Sequence, residues 1–243
     1  MFRTTVALIK IAAFMIGKNG LLRKAKKLDR EGKIAERDEL VNGIVPVWAR
    51  YVFEVTKSDV EVEGLEKLPK DKAVVFIANH QGLMDIPLLY GYSGKPMAFV
   101  AKIELSKIPL LSSWMKLLQC TFIDRKSMRA SLQAINDAAA NVSKGYSQMI
   151  FPEGTRSKGG HHIEFKPGSF KLAFKSKSPV VPVTIDGTWR IYEENNDVRP
   201  AHVKMIIHDP IDTDGMTKEE MQELPAKVER IVCAPLSEDE SRK

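Results

Sequence analysis

The sequence has few cysteines and few aromatic residues, and its N-terminal apolar run is too short to cross a membrane. Only two cysteines, Cys120 and Cys233, occur among the 243 residues. A disulfide framework or a zinc ribbon is therefore not expected, and a reducing compartment fits. Aromatic residues make up 7% of the chain, and no nucleic-acid-binding motif is present, so we expect no nucleic-acid partner.

The sequence is rich in apolar residues and in positive charge. Hydrophobic residues make up 44% of the chain, which is enough to form a core and excludes a chain that is disordered throughout. The length allows one large domain, or one domain with an appendage. The net charge of +6 and the pI near 9.2 indicate an acidic partner: nucleic acid, anionic lipid or a phosphorylated substrate.

The N-terminal segment is both basic and apolar. The first 28 residues contain seven Lys or Arg and no Asp or Glu, and residues 6–16 are apolar except for Lys10. A spanning helix needs roughly 20 apolar residues, so this run is too short. Arg3 ahead of the run resembles a signal peptide, but Lys10 interrupts the run and residues 17–19 offer no small-residue cleavage site. We predict a helix that lies in a membrane interface, with basic residues facing lipid headgroups.

A second helical pattern precedes residue 58. Apolar residues recur there at helical spacing: Val41, Ile44, Val45, Trp48, Tyr51, Val52 and Val55. Pro46 predicts that this helix begins or kinks at that point, and Trp48 and Tyr51 suit a membrane interface. The alternative is an amphipathic helix packed on its own domain. Beside the basic first segment, the two patterns favour a two-helix membrane-associating unit over residues 1–57.

From about residue 58 the pattern becomes α/β, and we assign residues 58–243 to one domain. Short buried strands are predicted at residues 73–78, 97–101, 121–124, 148–151, 180–185 and 203–207. Helical patterns lie between or after them, at residues 128–142, 170–177 and 218–232. This alternation predicts a mixed, largely parallel sheet covered by helices. Ligands of such sheets bind beyond the carboxyl ends of the strands, and the unusual polar clusters of this sequence follow strands.

The first polar cluster is "FIANHQGLMDIP", in which His80 and Asp85 lie five positions apart. They do not share a face of a helix, so they can meet only if the chain turns between them. In that case the carboxylate would bind one imidazole nitrogen and leave the other as a proton acceptor. No G-x-S-x-G nucleophile is present, so the pair suits a base that activates a substrate hydroxyl directly. The alternative is a histidine that caps a turn and an aspartate that caps a helix.

The second polar cluster is "FPEGTRS", which follows another predicted strand. Glu153 and Arg156 are three positions apart, and an ion pair between them would hold a guanidinium that fits a phosphate. Amides around Gly154 would add further donors. The alternative is a surface turn with an ordinary ion pair. The histidines at 161–162 lie in a polar, Gly-rich loop without other ligands nearby, and we interpret them as surface residues.

Four ordered motifs within residues 73–187 resemble those of the glycerolipid acyltransferases, specifically the 1-acyl-sn-glycerol-3-phosphate acyltransferase family. The first is "NHQGLMD", which resembles the family's N-H-x-S-x-x-D block. The others are "AKIELSKIPLL" with "CTFIDR", then "FPEGTRS", then "VVPVTI". Four blocks in order are a specific signal, whereas any one alone is not. Gly82 departs from the pattern, since family members usually have Ser there. We expect this departure to change the turn or the contacts with the acceptor, and not the base.

The resemblance implies transfer of a fatty acyl group from an acyl thioester, of coenzyme A or acyl carrier protein, to the free hydroxyl of 1-acyl-sn-glycerol-3-phosphate. The product would be phosphatidic acid, in phospholipid synthesis. It implies His80 as general base and Asp85 as its orienting partner. It also implies a set of residues that bind the glycerol phosphate: Lys102, Arg125, Glu153, Gly154, Thr155 and Arg156. No metal or other cofactor is implied.

The expected location is a peripheral or monotopic position on the cytoplasmic face of the cell membrane, because the lipid acceptor lies in a bilayer and the N-terminus is basic. Two alternatives remain open. The acceptor could be another lysolipid, which the four motifs do not distinguish. The protein could instead bind anionic lipid or nucleic acid without catalysis, although an oriented base has no use in a pure binding protein.

Overall fold

A computed structural model describes residues 2–124, 126–159 and 162–240 of the chain. The strands in these ranges are β1 Asp59–Glu63, β2 Val75–Ala78, β3 Ala98–Lys102, β4 Thr121–Ile123, β5 Gln148–Ile150, β6 Val180–Asp186 and β7 His202–Ile207. The α-helices in the same ranges are α1 Phe2–Gly17, α2 Asn19–Arg30, α3 Ile34–Thr56, α4 Asp85–Tyr92, α5 Pro109–Leu117, α6 Met128–Ser143, α7 Lys171–Ser176 and α8 Lys218–Glu240. Short 3-10 helices occur at Leu65–Lys67, Ile103–Lys107, Pro167–Phe170 and Thr188–Ile191.

The strands form one sheet in the order β1–β7–β6–β2–β5–β3–β4. Neighbouring strands are parallel except for β6 and β7, which are antiparallel. The predicted mixed, largely parallel sheet is therefore confirmed, and each predicted strand is present with its ends shifted by at most two residues. β1 was not predicted from the sequence. This strand has the sequence Asp-Val-Glu-Val-Glu at the edge of the sheet, so it lacks the buried apolar run by which the others were predicted.

Helices cover both faces of the sheet, which accounts for the uninterrupted apolar sequence of the central strands. Every residue of β2 is buried. Phe76 belongs to a core cluster that includes Phe53 of α3 and Leu88 of α4. Val75 and Ile77 point to the opposite face and belong to a second cluster, to which α6, α7 and α8 contribute. Because β2, β3, β4, β5 and β6 are mutually parallel, their carboxyl ends lie side by side along one edge of the sheet.

Residues 2–56 form three helices. The predicted helical patterns correspond to α1 and α3, and α2 lies between them. Of the two alternatives predicted at Pro46, the helix start is wrong, because α3 begins at Ile34 and continues through Pro46; the kink stays a prediction. The physical reason is packing: Val41 and Val45, ahead of Pro46, are buried in a cluster with α2 and α5. This burial stabilises the helical turns whose hydrogen bonding Pro46 weakens.

Much of α1 is exposed and apolar. Ala7 is buried, whereas Phe2 is 83% exposed and Ile9 and Ile16 are also exposed. The Thr4 hydroxyl donates a hydrogen bond of 2.6 Å to Asp197, which fastens the start of α1 to the loop before β7. Within the described ranges no single helix is long and apolar enough to cross a membrane. The pair α1 and α2, bent by 46°, meets that requirement by length and composition when taken together.

Candidate active site

The first part of the site is the turn between β2 and α4. β2 ends at Ala78, as predicted, and α4 begins at Asp85. Asn79 is buried, and its side-chain amide exchanges two hydrogen bonds with the backbone of Ile185 in β6, at 2.7 and 2.8 Å. These bonds extend the pairing of β2 with β6 by one side chain, so the position of the turn is fixed by the sheet.

His80 and Asp85 meet across this turn. The His80 Nδ1 and Asp85 Oδ2 atoms are 2.6 Å apart. The same Oδ2 accepts hydrogen bonds from the amides of Gln81 and Gly82, at 2.8 and 3.1 Å. The other carboxylate oxygen accepts a hydrogen bond from the Thr188 hydroxyl. Asp85 is fully buried, and because its carboxylate binds Nδ1, the imidazole presents Nε2 as the proton acceptor.

The orientation of the imidazole is also set by stacking. The His80 ring lies 3.9 Å from the Phe151 ring, centroid to centroid, with an angle of 12° between the planes. The His80 side chain is 18% exposed, so one edge of the ring reaches the surface. Phe151 directly follows β5, and this contact therefore joins the ends of β2 and β5.

Glu153 is a buried residue that binds the backbone of His80. The residue is 1% exposed, and its carboxylate accepts a hydrogen bond of 2.7 Å from the backbone amide of His80. Two backbone hydrogen bonds also join the turn after β5 to the turn after β2. The Ser157 amide donates to the His80 carbonyl at 2.8 Å, and the Lys158 amide donates to the Gln81 carbonyl at 3.0 Å. Direct binding of the acceptor by Glu153 stays a prediction, and in this geometry the carboxylate holds the backbone of His80.

Burial raises the pKa of Glu153 to about 7, and the negative charge of Asp85 acts in the same direction, while the His80 amide opposes them. Below its ordinary pKa of 4.5 the group is protonated in both folded and unfolded protein. Between that pH and about pH 7 only the unfolded chain releases the proton. We therefore expect this group to lower the free energy of unfolding as pH rises through that window, by about 3 kcal/mol in total.

The measurement is denaturant unfolding of wild type and Glu153→Gln at several values between pH 4.5 and 8. The difference between the two proteins should change across the window and level off above about pH 7, because other titrating groups cancel in the comparison. A constant difference at all pH values would show that the buried carboxyl group is not protonated in the folded protein.

Arg156 has a different partner from the predicted one. Its guanidinium binds Glu193 at 3.0 Å, not Glu153, so the predicted Glu153–Arg156 ion pair is wrong. The reason is tertiary: Glu153 is turned inward to the His80 amide, and the loop after β6 brings Glu193 to the surface side of the turn. The same Glu193 oxygen accepts a hydrogen bond of 2.8 Å from the amide of Leu83.

Three other predicted site residues, Lys102, Gly154 and Thr155, follow or end strands at the same edge of the sheet. Gly154 has φ +74°, and a Cβ built there would lie 3.0 Å from Lys166 Nζ, so this turn favours glycine and places a cation beside it. Thr155 is exposed. Lys102 is exposed at the carboxyl end of β3, the neighbour of β5. Arg125 and His161 lie outside the described residues, and His162 is exposed and contacts Glu229 at 3.1 Å.

Sequence reasoning missed Thr188 and Glu193, because both follow β6 more than 100 residues after His80 and neither stands in a recognised motif. Lys166 was also missed. A partial signal existed for Thr188, since "DGT" follows a predicted strand whose carboxyl end shares the edge of the site.

An apolar cavity of about 520 Å³ opens beside this turn. Its walls come from α1, α3, α4, α5 and β3, and from Leu83 and Met84 between His80 and Asp85. Trp48, predicted to lie at a membrane interface, lines this cavity, and Tyr51 stacks on Phe14 of α1 at 5.0 Å. A cavity of this size with apolar walls suits an alkyl chain or a ligand of similar size.

Comparison with known proteins gives the class. A family model described as Acyltransferase matches residues 59–186, which is more than half of the chain. The chain belongs to this acyltransferase family. The matched region begins with β1 and ends with β6, so it contains the His80–Asp85 pair and the "FPEGTRS" turn.

The relatives within this family agree with the resemblance seen in the motifs. The chain is 34% identical over 172 residues to a chloroplastic 1-acyl-sn-glycerol-3-phosphate acyltransferase of Brassica napus, covering 69% of this chain and 49% of that protein. It is 34% identical over 191 residues to the Saccharomyces cerevisiae 1-acyl-sn-glycerol-3-phosphate acyltransferase, covering 75% and 62%. The crystal structure of the 1-acyl-sn-glycerophosphate acyltransferase PlsC from Thermotoga maritima matches with TM-score 0.86 and 32% identity, covering 100% of this chain and 96% of that one.

The recognition of this chain as a relative of the 1-acyl-sn-glycerol-3-phosphate acyltransferases is therefore confirmed. The chain spans about half the length of the curated relatives that it matches from Brassica napus, Arabidopsis thaliana and Cocos nucifera, at 49%, 43% and 57%.

Proposed function

We propose that this protein transfers a fatty acyl group from an acyl thioester, of coenzyme A or acyl carrier protein, to the free hydroxyl of 1-acyl-sn-glycerol-3-phosphate. The product is phosphatidic acid, and the role is phospholipid synthesis. The observation that carries the proposal is the His80–Asp85 pair, 2.6 Å apart, at an edge of the sheet that also holds Arg156 and an apolar cavity.

The chemistry follows from this arrangement. The acceptor hydroxyl oxygen attacks the thioester carbonyl carbon while His80 Nε2 takes the hydroxyl proton. The tetrahedral intermediate then collapses and the C–S bond breaks. The sulfur takes the proton that His80 returns and leaves as the free thiol. Asp85 holds the imidazole in the tautomer that accepts at Nε2 and stabilises the imidazolium that forms. No covalent acyl-enzyme is needed, which agrees with the lack of a G-x-S-x-G nucleophile in the sequence.

The acceptor's phosphate suits the exposed cations around the base. Arg156 offers a planar fork of donors, Lys102 ends β3, and the Nζ atom of Lys166 lies beside Gly154. We propose that these cations, with Arg125, Thr155 and the amides around Gly154, bind the glycerol phosphate, while Glu153 acts by holding the His80 backbone. The apolar cavity beside Leu83 and Met84 would receive an acyl chain.

The N-terminal unit, residues 1–57, is proposed to rest on the cytoplasmic face of the cell membrane, while residues 58–243 form the catalytic domain. The exposed apolar residues of α1 and the basic residues of α1 and α2 support this. A lipid acceptor would then reach the site without leaving the bilayer surface.

The function is tested by thiol release. Purified protein is mixed with each of several acyl-coenzyme A and acyl-carrier-protein donors and with each of several lysolipids, including 1-acyl-sn-glycerol-3-phosphate and a lyso-ornithine lipid. We expect turnover with 1-acyl-sn-glycerol-3-phosphate to exceed that with lysolipids that lack a phosphate monoester. Turnover with another lysolipid alone would change the acceptor, and binding to anionic lipid without thiol release from any donor would favour a non-enzymatic binding protein.

Arg156→Lys keeps the charge but removes the fork of donors. We expect a higher KM for 1-acyl-sn-glycerol-3-phosphate, or a lower kcat, with the KM for the donor thioester nearly unchanged. Steady-state kinetics with each substrate varied in turn measures this. A loss confined to the donor KM would assign Arg156 to the carrier side of the site instead.

Replacing Phe2, Ile9 and Ile16 with serine should weaken membrane binding. These side chains are exposed, so insertion of their apolar surface, at about 25 cal/mol per Å², is lost without emptying the core. For the wild type, binding to anionic liposomes should weaken but persist as salt rises, because salt screens the contribution of the cations, up to about 1 kcal/mol each, and leaves the contribution of apolar insertion.

Liposome co-sedimentation measures the effect, and Leu65→Ser, an exposed apolar residue elsewhere, is the matched control. The triple variant should also lose more activity on bilayer acceptor than on short-chain soluble acceptor. Equal sedimentation of the triple variant and the control would mean that α1 does not anchor the protein.

A further inference from the structure

The space beside Gly82 is filled by Glu193. Gly82 does not adopt a positive φ, so backbone conformation does not explain why glycine stands here. A Cβ built on Gly82 would lie 2.7 Å from Glu193 Oε2, 3.1 Å from Glu193 Cδ and 3.2 Å from the Trp189 Cα. The first of these separations is shorter than real Cβ contacts allow. A side chain at position 82 and the present position of the Glu193 carboxylate are therefore incompatible.

The Glu193 carboxylate is held in this place by two donors from the site. Its Oε1 atom accepts a hydrogen bond from the Leu83 amide at 2.8 Å and from Arg156 Nη1 at 3.0 Å. The side chain is 5% exposed, whereas that of Arg156 is 34% exposed. A charge-assisted bond to a nearly buried carboxylate fixes one edge of the guanidinium. The remaining donors of Arg156 can then be presented to an anion from outside.

We propose that Glu193 is the positioning residue for Arg156, and that position 82 is glycine in this chain because the Glu193 carboxylate occupies the space of a side chain there. The proposal rests on the proposed function, since it assigns Arg156 to the phosphate of the acceptor. It adds a residue from outside the four motifs to the acceptor site. It also ties the departure at Gly82 from the family's usual serine to a second position, more than 100 residues away.

The positioning part is tested with Glu193→Gln, which preserves the shape of the side chain and removes its charge. We expect the KM for 1-acyl-sn-glycerol-3-phosphate to rise about 10-fold, in keeping with the loss of a charge-assisted hydrogen bond. The donor KM should stay within about twofold, and so should the rate with a 1-acylglycerol that lacks the phosphate. Glu194→Gln, an exposed neighbour that contacts Asn195, is the control and should match wild type.

The steric part is tested by a double-mutant cycle of Gly82→Ser and Glu193→Ala. Gly82→Ser alone should lower kcat/KM about 10-fold, because the new side chain displaces the carboxylate. In the Glu193→Ala background the same substitution should cost much less, although the backbone of Trp189 still crowds position 82. Thermal unfolding of all four proteins, from which free energies of unfolding are derived, shows whether each variant folds and gives the same coupling without any substrate.

An unchanged acceptor KM in Glu193→Gln would overturn the positioning role. The steric coupling would be overturned if the two substitutions acted independently. In that case the fold-losses in kcat/KM would multiply in the double variant, and the losses in the free energy of unfolding would add. Failure of the proposed function is distinguishable from both, because it would be seen in the wild type as an absence of transfer to 1-acyl-sn-glycerol-3-phosphate. The coupling between positions 82 and 193 would then still be decided by the unfolding cycle.

Discussion

His80→Ala is expected to lower turnover by about 10²- to 10⁴-fold, the usual loss when a general base is removed. In the proposed mechanism Nε2 is the proton acceptor for the substrate hydroxyl, since Nδ1 is bound to Asp85 at 2.6 Å. The fold should persist, because the imidazole reaches the surface and the backbone of His80 is fixed independently by Glu153 and Ser157. Thiol release at saturating donor and acceptor measures the loss.

The matched control is His162→Ala, which removes an exposed imidazole that contacts Glu229 and should leave turnover unchanged. Circular dichroism and thermal unfolding establish that both variants are folded. Near-normal turnover in a folded His80→Ala protein would refute the general-base mechanism, whatever the acceptor is.

Asp85→Asn is expected to lower turnover by up to about 10⁴-fold, the loss that follows when an orienting carboxylate is replaced by an amide. The amide nitrogen can donate to Nδ1, which stabilises the tautomer that carries its proton on Nε2. That tautomer cannot accept the hydroxyl proton. The carboxylate also receives hydrogen bonds from the amides of Gln81 and Gly82, so its replacement disturbs the turn as well.

Thr188→Val is a milder change at the same carboxylate, because it removes the hydroxyl that binds Oδ1 and leaves the contacts of Oδ2 with His80 and with the two amides in place. We expect a loss of about 10- to 100-fold, which is the usual worth of one hydrogen bond to a charged group. A loss as large as that of Asp85→Asn would mean that Thr188 is required to hold the carboxylate against His80. A pH–rate profile would show the difference, since only Asp85→Asn should change the tautomer of the base.

The parts of the fold that could be predicted were those specified by local sequence. The central strands are apolar over their whole length because both faces of the sheet are covered, and this pattern identified six of the strands described. β1 was not predicted, since an edge strand in which Val alternates with Asp and Glu has no such run. The start of α3 was not predicted because it depends on tertiary contacts. The burial of Val41 and Val45 against α2 and α5 outweighs the local effect of Pro46 on the helix.

In the candidate site, the sequence by itself determined the residue types and their order: a histidine and an aspartate around a turn that follows a strand, and a Pro-Glu-Gly turn followed by an arginine. These are short-range features, because each motif lies within one connection after one strand.

The partners of these residues were decided only by the tertiary structure. Glu153 binds the backbone of His80, Thr188 binds Asp85, and Glu193 binds Arg156. Each of these contacts joins segments that follow different strands, and parallel strands bring their carboxyl ends to one edge regardless of their separation in the chain. Spacing along the sequence therefore could not give the pairing.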